Sequence, residues 1–254
     1  MTPSRVITSV RRTARAAAGI LVDNFCPFWG LGCPKRGLKN GDTIENKNNT
    51  AYELVPTNKI AFHAGVSAWM SDESLNKCSI GIECHCPNYA NALNENLDLY
   101  HFEPFTEYQI NTCIKLIKKL QVEFSIPSEN ILGHSDIASF RKDEKENIIV
   151  GKTDPGATFP WEKLAKEHNI GLWFDEIDLE KNNAVKEDSV SIIKCQELLS
   201  QFGYRISVDG ILSLETKYLI KAFQLHYMQD SVTGNITPKM LDLLVKLNEK
   251  TEYS

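Results

Sequence analysis

Apolar positions along this chain follow two rhythms. Residues 51–55 and 59–62 form short apolar runs that predict strands. Residues 79–84 alternate faces as Ser79-Ile80-Gly81-Ile82-Glu83-Cys84, the period of a half-buried strand. From Thr106 to Phe124 the period lengthens: Ile110, Ile114, Ile117 and Leu120 recur at helical spacing, with Thr106 as a suitable N-cap. Pro127 follows, and residues 130–132 read as a further short strand. Strands alternating with helices predict an α/β fold with a central mixed sheet flanked by helices.

The pattern changes near residue 175. Residues 175–188 are rich in Asp, Glu, Lys and Asn and poor in large apolar side chains, as in a solvated linker. Three amphipathic segments follow, at 190–201, 215–227 and 238–247, joined by short turns that contain glycine. They predict a small C-terminal three-helix domain over 189–250. The division is therefore an N-terminal segment over 1–41, a first domain over 42–174, a linker over 175–188 and the helical domain.

Composition narrows this picture. With 42% hydrophobic and 24% charged residues in 254, the chain is ordinary globular protein, which excludes wholesale disorder, collagen-like repeats and coiled coil. It has no apolar run long enough for a transmembrane helix. A net charge of −5 argues against nucleic acid as a partner. The charge is unevenly placed: residues 1–41 hold seven basic residues against the single acid Asp23, and the rest hold 21 basic against 32 acidic. Within this basic segment residues 16–22 are apolar, at the lower limit of a signal-peptide core, and Asp23 ends them. The plainer reading is a poorly ordered basic extension. Seven cysteines, with no CxxC pair, are too sparse for a disulfide scaffold and read as buried or idle thiols.

The chemistry concentrates in Gly133-His134-Ser135-Asp136 and in Lys152-Thr153-Asp154-Pro155-Gly156. A histidine at a strand end and an aspartate in a stiff turn are both suitable zinc ligands, because zinc accepts imidazole nitrogen and carboxylate oxygen. Lys152 could reach an oxyanion formed when water attacks an amide. Glu83, near the end of its strand, could take and return the proton. Singly, each has a plainer reading: a structural histidine, or an aspartate that only shapes a turn.

The strings Asn-Lys-Ile-Ala-Phe-His-Ala-Gly-Val-Ser (58–67), Leu-Asn-Lys-Cys-Ser-Ile-Gly-Ile-Glu (75–83), Gly-His-Ser-Asp-Ile-Ala (133–138) and Lys-Thr-Asp-Pro-Gly (152–156) occur in order, closed by Phe159-Pro160-Trp161. Together they resemble the zinc-dependent N-acetylmuramoyl-L-alanine amidases of the AmpD and AmiD type, over about residues 50–170. The C-terminal strings Cys195-Gln196-Glu197-Leu198-Leu199, Gly203-Tyr204, Val208-Asp209-Gly210 and Ala222-Phe223-Gln224 resemble a peptidoglycan-binding domain. The resemblance implies hydrolysis of the amide between N-acetylmuramic acid and L-alanine, in peptidoglycan or its muropeptide fragments. It implies Zn2+ held by His134 and Asp154, with Glu83 and Lys152 catalytic. His63 matches a cleft residue, so it is expected beside the substrate. The wall-binding module favours the periplasm or cell envelope over the cytoplasm.

Two departures stand out. The family carries a further zinc-binding histidine on an early strand, yet none of the six histidines here precedes His63. The basic segment is therefore expected to lie outside the family's own N-terminus, leaving the domain without an early strand as well as a ligand. This opens a second reading, a catalytically inactive peptidoglycan-binding protein. His134 and Asp154 are also separated by an additional charged stretch, roughly 142–151, which is expected to loop out at little entropic cost.

Overall fold

A computed structural model describes residues 5–7, 19–25, 52–57, 59–85, 104–174 and 191–252. In chain order the strands are β1 (Arg5–Ile7), β2 (Gly19–Phe25), β3 (Tyr52–Val55), β4 (Ala68–Trp69), β5 (Asp72–Glu73), β6 (Ser79–His85), β7 (Ile131–Gly133), β8 (Phe140–Lys142) and β9 (Ile148–Val150). The helices are α1 (Glu107–Phe124), α2 (His134–Ile137), α3 (Trp161–His168), α4 (Ile192–Phe202), α5 (Leu214–Tyr227) and α6 (Pro238–Glu252). The predicted linker lies outside the described residues.

Among the described residues the main sheet has five strands in the order β3-β1-β6-β2-β7. It is mixed, as expected: β1 runs antiparallel to β6, whereas β2 runs parallel to both β6 and β7. One expectation is overturned here. The first domain does not lack an early strand: β2 is an interior strand between β6 and β7, and β1 pairs with β3 and β6. The apolar run at 16–22 contributes its latter part, from Gly19, to that interior strand. A strand paired on both sides favours a continuous apolar stretch, which Gly19-Ile20-Leu21-Val22 supplies despite the arginines before it.

The alternation along β6 separates core from site. Ile80, Ile82 and Cys84 are fully buried, as are Cys113 and Ile117 of α1, and all join one hydrophobic core. Helix α1 starts at a capping box: the Thr106 hydroxyl accepts from the Gln109 N–H at 3.3 Å, and the Thr106 N–H donates to Gln109 Oε1 at 2.9 Å. A second expectation fails at residues 59–62, which are not a strand. The adjoining His63 and Ala64 N–H groups both donate to Asn76 Oδ1, at 2.8 Å each, so a side chain holds this loop in place of a β-ladder. Residues 142–151 likewise do not loop out loosely. They form the β8–β9 hairpin, whose turn is tied by Asp143 accepting from the Lys145 and Asn147 N–H groups, both at 2.8 Å.

The three C-terminal helices pack as predicted, and two buried glutamines organise the loops between them. Gln196 Oε1 accepts from the N–H groups of Asp209 at 3.1 Å and Gly210 at 2.8 Å. Gln224 Oε1 accepts from those of Thr233 at 2.9 Å and Gly234 at 2.7 Å. Burial pushes the Cys195 thiol up to about 12, which keeps it protonated and unreactive. Cys84, Cys113 and Cys195 are buried free thiols, and Cys78 is half-buried.

The helical domain shares its core with the sheet domain. Trp69 of β4 sets its ring edge-on to Phe202 and Tyr204, with centroids 5.9 and 5.1 Å apart. The Met70 N–H donates to the Gly203 carbonyl at 2.7 Å. Gly203, at φ 131°, is needed there, because a Cβ would stand 2.9 Å from the Trp69 ring. A continuous core unfolds cooperatively. Trp69→Ala is therefore expected to cost about 3–5 kcal/mol, with far- and near-ultraviolet circular dichroism following one urea transition. Two separated transitions would show that the domains unfold independently.

Candidate functional site

The parallel pairing of β2 on both sides sets the site's frame. Val22 lies opposite Ile82 on β6 and opposite Gly133 on β7, so the next residues, Glu83 and His134, stand level at the same sheet edge. Their backbones are two strand spacings apart, about 10 Å. This is the carboxyl edge of parallel strands, where open α/β sheets hold ligands. On β2, the residue paired with Glu83 at this level is Asp23.

His134 is the first residue of α2, immediately after β7. Asp154 reaches it because the segment after the hairpin returns alongside α2. The Lys152 N–H donates to the Ala138 carbonyl at 2.8 Å, the Gly151 N–H to Ser139 at 3.0 Å, and the Ser135 N–H to Asp154 at 2.9 Å. These bonds explain how two residues separated by an inserted hairpin come together. His134 Nδ1 lies 3.1 Å from Asp154 Oδ2, and both residues are almost fully buried.

The other ring nitrogen decides what this pair can hold. His134 Nε2 lies 3.3 Å from the Ala64 carbonyl, which can only accept, so Nε2 carries the proton. A neutral ring then turns the Nδ1 lone pair toward the Asp154 carboxylate. Two acceptors facing each other at this distance need a cation between them, either a proton or a metal ion. Two ligands at ~2.0–2.1 Å from a tetrahedral zinc would be about 3.3 Å apart, close to the observed separation. A ligating histidine whose outer N–H is held by a backbone carbonyl is also the usual outer-sphere arrangement. The donor pair therefore fits the metal that the resemblance implies. Among the described residues, no third His, Cys, Asp or Glu joins it in a cluster.

His63 lies on the same side of the sheet as Glu83. Its Nε2 is 2.8 Å from Ser79 Oγ, and its ring covers Gly81, where a Cβ would stand 2.7 Å from the imidazole. Gly81 is thus the space His63 occupies, two residues along β6 from Glu83. Glu83 is partly accessible and Lys152 is exposed, both open to a ligand arriving from solvent. The structure brings His134 and Asp154 into contact, and sets His63 beside the Glu83 face.

Three residues carry a contact that the sequence did not indicate. The Asp136 carboxylate accepts from the Gly133 N–H at 2.8 Å, from the Tyr204 hydroxyl at 2.5 Å and from His226 Nδ1 at 2.8 Å. A polar His226 amid the apolar face of α5 was the available signal, but its partner lies ninety positions away. Burial and the Asp136 charge together push the Tyr204 phenol well above its usual range, so it remains a donor.

Comparison with known proteins gives a consistent picture. The N-acetylmuramoyl-L-alanine amidase family model matches residues 43–157, and a peptidoglycan-binding domain model matches residues 189–244. The N-acetylmuramoyl-L-alanine amidase AmiD of Escherichia coli (strain K12) is 32% identical over 201 residues, which is 78% of this chain and 67% of AmiD. The 1,6-anhydro-N-acetylmuramyl-L-alanine amidase AmpD of Enterobacter cloacae is 32% identical over 125 residues, 49% of this chain and 54% of that protein. The chain thus spans about two thirds of AmiD and about half of AmpD. The solved complex of E. coli AmiD with anhydro-N-acetylmuramic acid-L-Ala-D-gamma-Glu-L-Lys superposes with a TM-score of 0.63 at 31% identity, covering 78% of this chain and 72% of that one. AmpDh3 of Pseudomonas aeruginosa superposes with a TM-score of 0.63 at 28% identity, covering 79% and 73%.

Gly81→Ala is expected to displace the His63 ring and cost about 1–3 kcal/mol by overpacking. In a His63→Ala background the same change should cost far less, because the clashing ring is gone. Urea denaturation of the four proteins measures this coupling, and additive losses would contradict it.

Proposed function

Because the chain belongs to the N-acetylmuramoyl-L-alanine amidase family, we propose that it hydrolyses the amide joining N-acetylmuramic acid to L-alanine in peptidoglycan or its muropeptides. The observation that carries this reading is the buried His134–Asp154 pair, whose Nδ1 and Oδ2 converge at 3.1 Å on the edge where β6 presents Glu83.

His134 and Asp154 would hold zinc, which when bound would supply Lewis acidity, lowering the pKa of a water to ~7 and polarising the scissile carbonyl. Glu83 accepts the proton from the attacking water and returns it to the departing L-alanine amine, so the amide C–N bond breaks without building charge on nitrogen. The Lys152 ammonium stabilises the oxyanion as the carbonyl becomes tetrahedral. His63 stands at the substrate face, and the exposed Phe62 and Val66 beside it (89% and 94%) offer apolar contact to the lactyl and peptide portions.

The amidase domain is read as extending to residue 174 and including β1 and β2, followed by the linker over 175–188 and the wall-binding domain over 189–250. The substrate favours the cell envelope as the site of action. Among the described residues, no helix is long and apolar enough to cross a membrane.

Purified protein incubated with zinc and an anhydro-muropeptide is expected to release free stem peptide beginning at L-alanine, read by mass spectrometry. Glu83→Gln should lower kcat by about 10²–10⁴-fold with zinc content unchanged, whereas His134→Ala should lose the metal. Binding without cleavage at saturating zinc would favour the inactive binding protein, a reading supported by the missing early histidine.

The strand position level with Glu83 holds Asp23, so Asp23→His installs an imidazole residue on the early strand. Zinc affinity, measured by chelator competition, is expected to rise about tenfold or more, as zinc favours nitrogen ligands and three protein donors. An unchanged or weaker affinity would count against this register as a metal-binding level.

A further inference from the structure

We propose that the C-terminal domain positions the metal-binding turn of the amidase domain, through Tyr204 and His226 acting on Asp136. The inference rests on the amidase reading and assigns the helical domain a second task beyond holding the wall.

Asp136 is two residues beyond His134 in the same four-residue helix α2. Asp136 is 2% exposed, and its carboxylate receives three donors. One, the Gly133 N–H, closes the start of the turn on itself. The other two come from separate parts of the C-terminal domain: Tyr204 lies two residues beyond the end of α4, and His226 lies in the last turn of α5. A buried carboxylate must be matched by donors, and donors on rigid helices hold it in one place. Because α2 is so short, fixing Asp136 fixes the backbone that orients His134.

The two donors are themselves braced by the amidase domain. Trp161 stacks on the His226 imidazole with centroids 3.9 Å apart and planes at 20°. Within α5 itself, Tyr227 also stacks with the His226 ring, at 4.1 Å and 6°. Tyr204 is held by Trp69 and by the backbone bond from Met70 to Gly203. Gln229 Nε2 donates to the Phe159 carbonyl at 2.7 Å, tying the end of α5 to the loop before α3. A domain that only tethered the enzyme to glycan would need none of these contacts with α2. It would also gain nothing from burying a tyrosine hydroxyl and an imidazole nitrogen against the strand-end turn that bears a metal ligand.

His134 thus has two outer supports, the Ala64 carbonyl on its ring and the Asp136 network on its backbone. Groups of this kind set metal affinity as well as turnover, with losses of about 10–100-fold when they are removed. Tyr204 and His226 are positioning residues, since they reach the metal site only through Asp136.

The test uses the full chain carrying Tyr204→Phe, His226→Leu or His226→Asn. An asparagine amide can stand in for imidazole Nδ1 as donor, so His226→Asn is the conservative control. Zinc dissociation constants are measured by chelator competition, and kcat and KM with a soluble muropeptide that needs no wall attachment. Tyr204→Phe and His226→Leu are expected to weaken zinc about tenfold or more. They should lower kcat with KM changed less than about twofold, and His226→Asn should recover most of both. Binding to insoluble peptidoglycan should be unchanged throughout.

Variants that melt at lower temperature but keep wild-type zinc affinity and kcat when folded would overturn the proposal. So would variants that lose only wall binding. Tyr204→Phe removes one oxygen, so it still decides the matter if His226→Leu does not fold. If the unmodified protein binds zinc but cleaves no muropeptide, the amidase reading fails, and the zinc constants alone still test the positioning role.

Discussion

The parallel pairing of β2 with both β6 and β7 is the constraint on which the site depends. With Val22 opposite both Ile82 and Gly133, two strands distant in sequence end at one level. A shift of one residue on either side would turn Glu83 or His134 to the wrong face, because strand side chains alternate with period two. The register is protected by what lies beneath it. Ile80, Ile82 and Cys84 are all fully buried, and moving any of them to the site face would leave apolar surface in water and a carboxylate in the core.

The parts of the fold written in local periodicity were legible in the sequence. The capped helix α1, the alternation of β6 and the three C-terminal helices each follow from spacing within one element, and the structure bears them out. Strand β2 was obscured by its surroundings. Seven basic residues in the first 41 make the segment look like an extension, although Gly19-Ile20-Leu21-Val22 is a buried-strand pattern only four residues long. Charge counted over a window says little about a strand whose partners arrive sixty and more than a hundred residues later. Residues 59–62 misled in the opposite way, since an apolar run predicts extended chain without saying whether a ladder or a single side chain such as Asn76 will hold it.

The candidate site divides along the same line. His134, Asp154, Glu83, Lys152 and His63 lie in short ordered strings, which made them visible as residues. Their geometry was hidden because it depends on long-range bonds: the Lys152 and Gly151 amides returning to α2, and the Ala64 carbonyl arriving from seventy residues before His134. The Asp136 network is the extreme case. Its donors belong to a region whose own motif, Gly203-Tyr204, reads as an internal turn of the helical domain. Nothing local to Tyr204 indicates that its hydroxyl leaves the domain.

A metal site with as few protein ligands as the proposed His134–Asp154 pair places unusual weight on the groups around those ligands. Free imidazole and carboxylate side chains lose rotational freedom on binding a cation, and that entropy opposes affinity. Holding both ligands in place before the metal arrives removes much of this cost, as preorganisation does in any binding event. Here the Ala64 carbonyl sets the ring of His134, the Asp154 carbonyl is tied to Ser135, and Asp136 anchors the turn through two domains. The shared core and the site are therefore one design problem. The aromatic contacts around Trp69 and Trp161 that join the domains also keep the donors of Asp136 in place. Separating the domains would then expose apolar surface and release the turn that carries His134.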